Sequence, residues 1–233
     1  MQYLILCILL IWTHRACLRI RREPAAYRPL AWILGGLILL AMGIQEGVLL
    51  FSGLLTWSNG LPLHLCSLLG VLTLPMLLTR RRTLCSAALF IGLPGAALAL
   101  LFPAVLATPW PTLTAAAFHT LHAGLVCAPW LQIARGWRPV PGDALRAGGL
   151  LLAAAALAML VNPLTGGNYL FLAYPIAGTP LGWLGQWGLW AYRGLLAGLA
   201  GITLATGAGI VYLARKRERP ARTLPIRDSN RQR

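Results

Sequence analysis

Acidic side chains are nearly missing from this sequence: five Asp and Glu stand in 233 residues, against twenty Lys and Arg. Charge of either sign is scarce, at 11% of residues where soluble domains carry roughly 25%. That scarcity excludes an ordinary water-soluble domain. Paired cysteines are missing as well. The five present, at 7, 17, 66, 85 and 127, have no paired spacing, which excludes a disulfide framework and a CxxC metal site. No inverted repeat is visible in the hydropathy, which weighs against a transporter.

What the chain does have is apolar length. Hydrophobic residues make up 58% of it. They fall in runs of about 17–25 residues, the length a helix needs to cross a bilayer. Nineteen of the twenty basic residues sit in four clusters, at 15–28, 80–82, 135–146 and 215–233, and the connections between these clusters carry none. This is the positive-inside pattern. It turns the net charge of +15 away from nucleic acid and toward anionic lipid headgroups at the cytoplasmic face.

The expected fold class is therefore all-α: a polytopic membrane helical bundle of about seven transmembrane helices, N-terminus outside and C-terminus cytoplasmic. The spans fall near residues 1–19, 30–51, 61–78, 84–102, 112–133, 147–161 and 185–214. A signal peptide is the competing reading of the first span, disfavoured by the missing basic n-region and small-residue cleavage site. Residues 164–184 are long for a loop yet apolar, as in a re-entrant segment. Residues 1–214 form one transmembrane domain, and 215–233 a basic, disordered cytoplasmic tail. The expected location is a bacterial inner (plasma) membrane.

Polar residues inside apolar spans are costly and point to function. Glu46, His64, Cys66, Ser67, His119, His122, Asn162, Asn168 and Arg193 all fall in the expected outer half of the membrane. Unpartnered in lipid they would cost several kcal/mol each, so they are expected to meet in one outward-opening pocket. His119 and His122, three apart, share a helix face, as do His64 and Ser67. Cys66 points away from His64 on an ideal helix. Its place near a helix N-terminus favours a thiolate.

The motifs Leu61-Pro62-Leu63-His64-Leu65-Cys66-Ser67, His122 seven residues before Pro129, and Asn162 followed by Gly167-Asn168-Tyr169-Leu170-Phe171-Leu172 resemble the YwaF-type family of integral membrane proteins. The resemblance covers about residues 30–212. Ala123 and Gly167 depart from the family pattern, and His119 is additional to it. An animal branch of that family is described as ether-lipid acyltransferases. The resemblance implies Cys66 as nucleophile and His122 as base.

The leading expectation is a Cys/His acyltransferase that moves a phospholipid acyl chain to a lipid acceptor through a thioester. Cys66, His122 and His64 are its candidate catalytic residues. Asn162, Asn168, Tyr169, Arg193, Glu46 and His119 are candidates for substrate binding, with Arg193 to hold a phosphate and an Asn to serve the oxyanion. No cofactor or metal is expected, and the partners are membrane phospholipids. Two alternatives are a zinc-dependent lipid hydrolase with His64, His119 and His122 as ligands, and a non-enzymatic transporter or receptor that uses Glu46, Arg193 and the His cluster of the same pocket as a substrate or proton site. A plain ion pair is the structural reading of Glu46 and Arg193.

Overall fold

The computed structural model describes residues 2–103, 105, 107–175, 182–183 and 185–218. Among these residues every regular element is helical. Helix α1 spans Gln2–Arg22, α2 Tyr27–Phe51 and α3 Leu65–Thr79. The fourth rod is composite, with α4 (Arg82–Ala87), a π turn (Ala88–Gly92) and α5 (Leu93–Leu101) in sequence. Then come α6 (Pro111–Ala134), α7 (Asp143–Thr165) and α8 (Leu189–Glu218). Five stretches are long and apolar enough to cross a membrane: Tyr3–Arg22, Pro24–Phe51, Arg82–Leu101, Asp143–Thr165 and Leu189–Glu218.

The two rods outside that group differ for separate reasons. Helix α3 is short, at 15 residues. Helix α6 has the length, but His119, His122, Gln132 and three threonines dilute its apolar character. It tolerates them because it stands in the middle, packed on by α1, α2, α3 and α5. Ala117, Leu121, Ala123, Cys127, Ala128 and Leu131 of α6 are all buried. The approaches are close. A Cβ at Gly124 would stand 2.5 Å from Ile38 of α2, and one at Gly70 of α3 would stand 3.1 Å from Leu121. A second layer, α7 with α8, packs on α4 and the π turn.

Several expected boundaries shift. The third helix begins at Leu65, not near 61. Pro62 lies in the turn before it, and His64 is the N-cap with an extended backbone (φ −67°, ψ 146°). Proline pushes the residue before it out of helical geometry, and the Leu61 N–H bonds to the Tyr169 hydroxyl instead (3.1 Å). The face shared by His64 and Ser67 therefore does not form as a helical face. Helix α7 starts earlier than expected, so that Asp143 is its first residue and not a loop residue. Helix α8 continues through Glu218, past the expected break at 214. The rest of the basic tail, 219–233, lies outside the described residues. So do 176–181 and 184 of the expected re-entrant segment, whose described part begins with the last residues of α7 and contains a turn of 3-10 helix at Tyr169–Phe171.

The helix ends sort by chemistry. Arg19, Arg21 and Arg22 close α1, Arg80 and Arg81 separate α3 from α4, which Arg82 opens, and Arg215–Arg217 close α8, with Arg135 just past α6. At this basic end Arg215 Nε donates to the Pro139 carbonyl (2.6 Å) and Arg82 to that of Arg138 (3.3 Å). Two buried side chains cap the last turn of α3: Gln132 Nε2 donates to Met76 O and the Tyr27 hydroxyl to Leu77 O. The Met76 carbonyl also accepts the Arg80 N–H (3.1 Å), and that of Leu77 lies where the helix runs out of internal donors. At the opposite end, Trp57, Trp187 and Trp190 are exposed, as aromatic side chains at a lipid interface are.

One carboxylate holds the basic end together. Asp143 is wholly buried. It accepts two bonds from Arg82 (2.7 and 2.8 Å), one from Arg146 (2.9 Å) and one from the Val140 N–H (2.9 Å). Because the two guanidiniums are nearly half exposed, the loss on neutralising it falls below that of a fully buried pair. Asp143→Asn is expected to lower unfolding stability by about 1.5–3 kcal/mol, measured by denaturant titration in detergent. An unchanged midpoint would mean that the connection between α6 and α7 does not depend on this carboxylate.

Candidate functional site

At the aromatic end, two segments far apart in sequence are stapled together. Tyr169 is fully buried. Its hydroxyl donates to the Trp57 carbonyl (2.8 Å) and accepts from the Leu61 N–H (3.1 Å). Its own backbone is clasped by Asn162, which accepts from the Tyr169 N–H (2.7 Å) and donates to its carbonyl (3.1 Å). Asn168 does the same one turn on, accepting from the N–H groups of Ala173 and Tyr174 and donating to the Tyr174 carbonyl. Leu170 and Phe171 take left-handed backbone conformations (φ 55° and 58°) that favour glycine. The clasps on either side hold that strained turn in place.

The staple sets the entry to α3. The His64 ring packs between Tyr169 (centroids 5.2 Å apart) and Phe171 (5.4 Å). Cys66 follows as the second residue of α3 and is half-buried, with no hydrogen-bond partner for its thiol among the described residues. The N–H groups of Leu65, Cys66 and Ser67 belong to the first turn, which has no acceptors of its own. His64 supplies no side-chain cap. Cys66 thus sits beside free backbone donors at the positive end of a helix.

Both histidines of α6 are buried. His122 Nδ1 lies 2.7 Å from the Phe118 carbonyl and His119 Nδ1 2.6 Å from that of Ala115. A carbonyl can only accept, so in each ring Nδ1 carries the proton and Nε2 presents a lone pair. His119 Nε2 is buried with no partner. This residue helps line a groove of about 250 Å³ with Tyr3, Leu6 and Leu10 of α1 and Leu100 of α5. The Phe118 ring lies against both imidazoles, at 4.1 Å from His122 and 5.3 Å from His119. Helices α3 and α6 pack directly, but no hydrogen bond joins Cys66 to either histidine.

The expected pairing of Glu46 with Arg193 is absent. Among the described residues the ion pairs are Arg19 with Glu23 and Asp143 with Arg82 and Arg146. Arg193 instead donates from Nε to the Leu172 carbonyl (2.8 Å) and lies 4.9 Å over the Trp190 ring. Glu46 is half-buried on α2. The three-histidine zinc set does not assemble: among the described residues no group of three His, Cys, Asp or Glu converges as a metal site. His64 stands in the stapled turn, whereas His119 faces the groove beside α1.

Sequence reasoning missed the free first-turn donors of α3 and the aromatic partners Phe118 and Phe171. The sequence put Cys66 near a helix N-terminus, but not the start at Leu65 that sets it in the first turn, next to a segment bonded to Tyr169. Phe118 was findable, because a residue four before a helical histidine lies on the same face.

The sequence model of the TMEM164 family matches residues 1–206 of the chain. No curated protein matches. No solved structure matches either.

If Tyr169 is the staple, Tyr169→Phe removes two hydrogen bonds and nothing else. It is expected to cost about 1–3 kcal/mol and to speed amide hydrogen exchange across residues 57–64. Exchange unchanged in that segment would show that the start of α3 is held by something other than this hydroxyl.

Proposed function

The chain belongs to the TMEM164 family of membrane proteins, and on that premise we propose that it is a lipid-modifying enzyme, a Cys/His acyltransferase that works on membrane phospholipids. The reading places seven crossings in the membrane, with the arginine-rich end cytoplasmic, the N-terminus outside, and a bacterial inner membrane as the location. The chemistry lies at the outer, aromatic end. The resemblance to YwaF-type proteins and their ether-lipid acyltransferase branch supports it at Cys66 and His122.

One observation carries the reading: Cys66 occupies the first turn of α3 beside uncapped backbone donors, while the neighbouring helix α6 holds an imidazole whose tautomer leaves Nε2 free to take a proton. A thiol in apolar surroundings does not ionise by itself. Its proton therefore passes to His122 Nε2 as sulfur attacks the ester carbonyl carbon of the donor lipid. The oxyanion that forms meets the first-turn N–H groups. Collapse breaks the ester C–O bond, the leaving oxygen takes the proton from His122, and the acyl group remains on Cys66 as a thioester. An acceptor hydroxyl then repeats the sequence, giving its proton to His122 and releasing sulfur, which recovers that proton. Sulfur and Nε2 come into contact when the substrate is bound, as catalytic hydrogen bonds commonly tighten only then. His64, packed against Tyr169 and Phe171, positions the N-terminus of α3.

Reconstituted protein given a phospholipid with a labelled acyl chain is expected to form a hydroxylamine-sensitive label on Cys66 and to transfer it to a lipid hydroxyl. Cys66→Ala should abolish both with the thermal midpoint retained, and His122→Ala should slow transfer by about 10²–10⁴-fold. Undiminished transfer in Cys66→Ala would end the proposal.

A further inference from the structure

Arg193 is the one basic residue outside the four clusters. It stands near the start of α8, and Arg215, twenty-two residues on, bonds at the basic end. At 1.5 Å per residue that is a rise of about 33 Å, close to the roughly 30 Å of a bilayer's hydrocarbon. Arg193 therefore lies at the level of the lipid phosphates on the side opposite the arginine-rich end.

A guanidinium placed there ordinarily swings out to water. This one is held. Its Nε is tied to the Leu172 carbonyl, and its plane rests over Trp190. It borders a cleft of about 360 Å³ together with Met159, Asn162, Gly167, Ala173 and Tyr174. That volume suits a small polar group more than a whole lipid. No carboxylate among the described residues pairs with Arg193. The amide groups of Asn162 and Asn168 are committed to backbone partners. A fixed cation at a membrane interface with no protein counter-ion calls for an anion from outside. Once Nε is committed, the two terminal nitrogens remain, and they match two phosphate oxygens in a bidentate pair.

We propose that the cleft between α7, α8 and the 166–174 turn is a seat for the phosphate of a membrane lipid headgroup, held by the terminal nitrogens of Arg193 while its Nε stays bonded to Leu172. The site deepens the acyltransferase reading by giving the lipid a fixed headgroup position. It requires no step of the Cys66 chemistry.

The test is equilibrium binding of fluorescent phosphatidylglycerol to the full chain in neutral detergent. It is run at about 1 M salt, where a screening length near 3 Å suppresses attraction to the exposed arginine face. Two variants address the seat: Arg193→Gln removes the cation, and Ala173→Glu sets a carboxylate in the cleft with the cation intact. Each is expected to weaken binding about tenfold or more. Unlabelled phosphatidylglycerol should compete, whereas diacylglycerol with the same chains and inorganic phosphate should not. Wild-type affinity in both variants, or equal competition by diacylglycerol, overturns the seat. Competition by inorganic phosphate at the same concentration overturns the lipid source and assigns the cleft to a free anion. No acyl transfer occurs in the assay, so these outcomes stand apart from the fate of the Cys66 proposal.

Discussion

Helix α6 can exist as it is only because four other helices keep lipid away from it. A helix with two histidines and a glutamine would be costly facing hydrocarbon. Wrapped by α1, α2, α3 and α5, it becomes the core against which the others align. The most enclosed rod thus holds His119, His122 and Gln132 buried, while α7 and α8 show broad exposed apolar faces such as Leu152, Leu160, Ile202 and Ile210. In a lipid solvent, polarity goes inward.

Helix ends and helix starts differ in how legible they were in the residues. Charge clusters mark helix ends reliably, and Arg80–Arg82 and Arg215–Arg217 stand where the alternation of basic and uncharged connections puts them. Helix α6 was also visible by length. The start of α3 was not, because Pro62 reads as a first-turn proline, whereas residues 61–64 form a turn tied to Tyr169 and the N-cap falls at His64. A bond across more than a hundred residues leaves no local trace. Asn162 and Asn168 were misleading in a related way: an amide near a membrane surface reads as a ligand contact, and here both amides close turns.

The candidate site shows a similar division of labour. Its polar residues do not form one crowded pocket. The asparagines and Tyr169 hold the turn, the turn sets where α3 begins, and that start puts Cys66 beside bare N–H groups. The imidazole tautomers are fixed on a separate element, by carbonyls one turn earlier on α6. Geometry from one end of the chain and proton chemistry from its middle meet across the α3–α6 contact.

The π turn at Ala88–Gly92 has a consequence for how the two layers share a wall. Widening one turn by a residue advances the azimuth of everything after it by about 100° relative to an unbroken helix. Below the turn α4 packs on α7; above it α5 packs on α6. One continuous rod thus behaves as a torsional adapter. It presents its first stretch to the outer pair and its second to the central helix, with Phe90 wedged against Gly207 of α8 at the pivot. An uninterrupted helix would have offered a single stripe and a single neighbour.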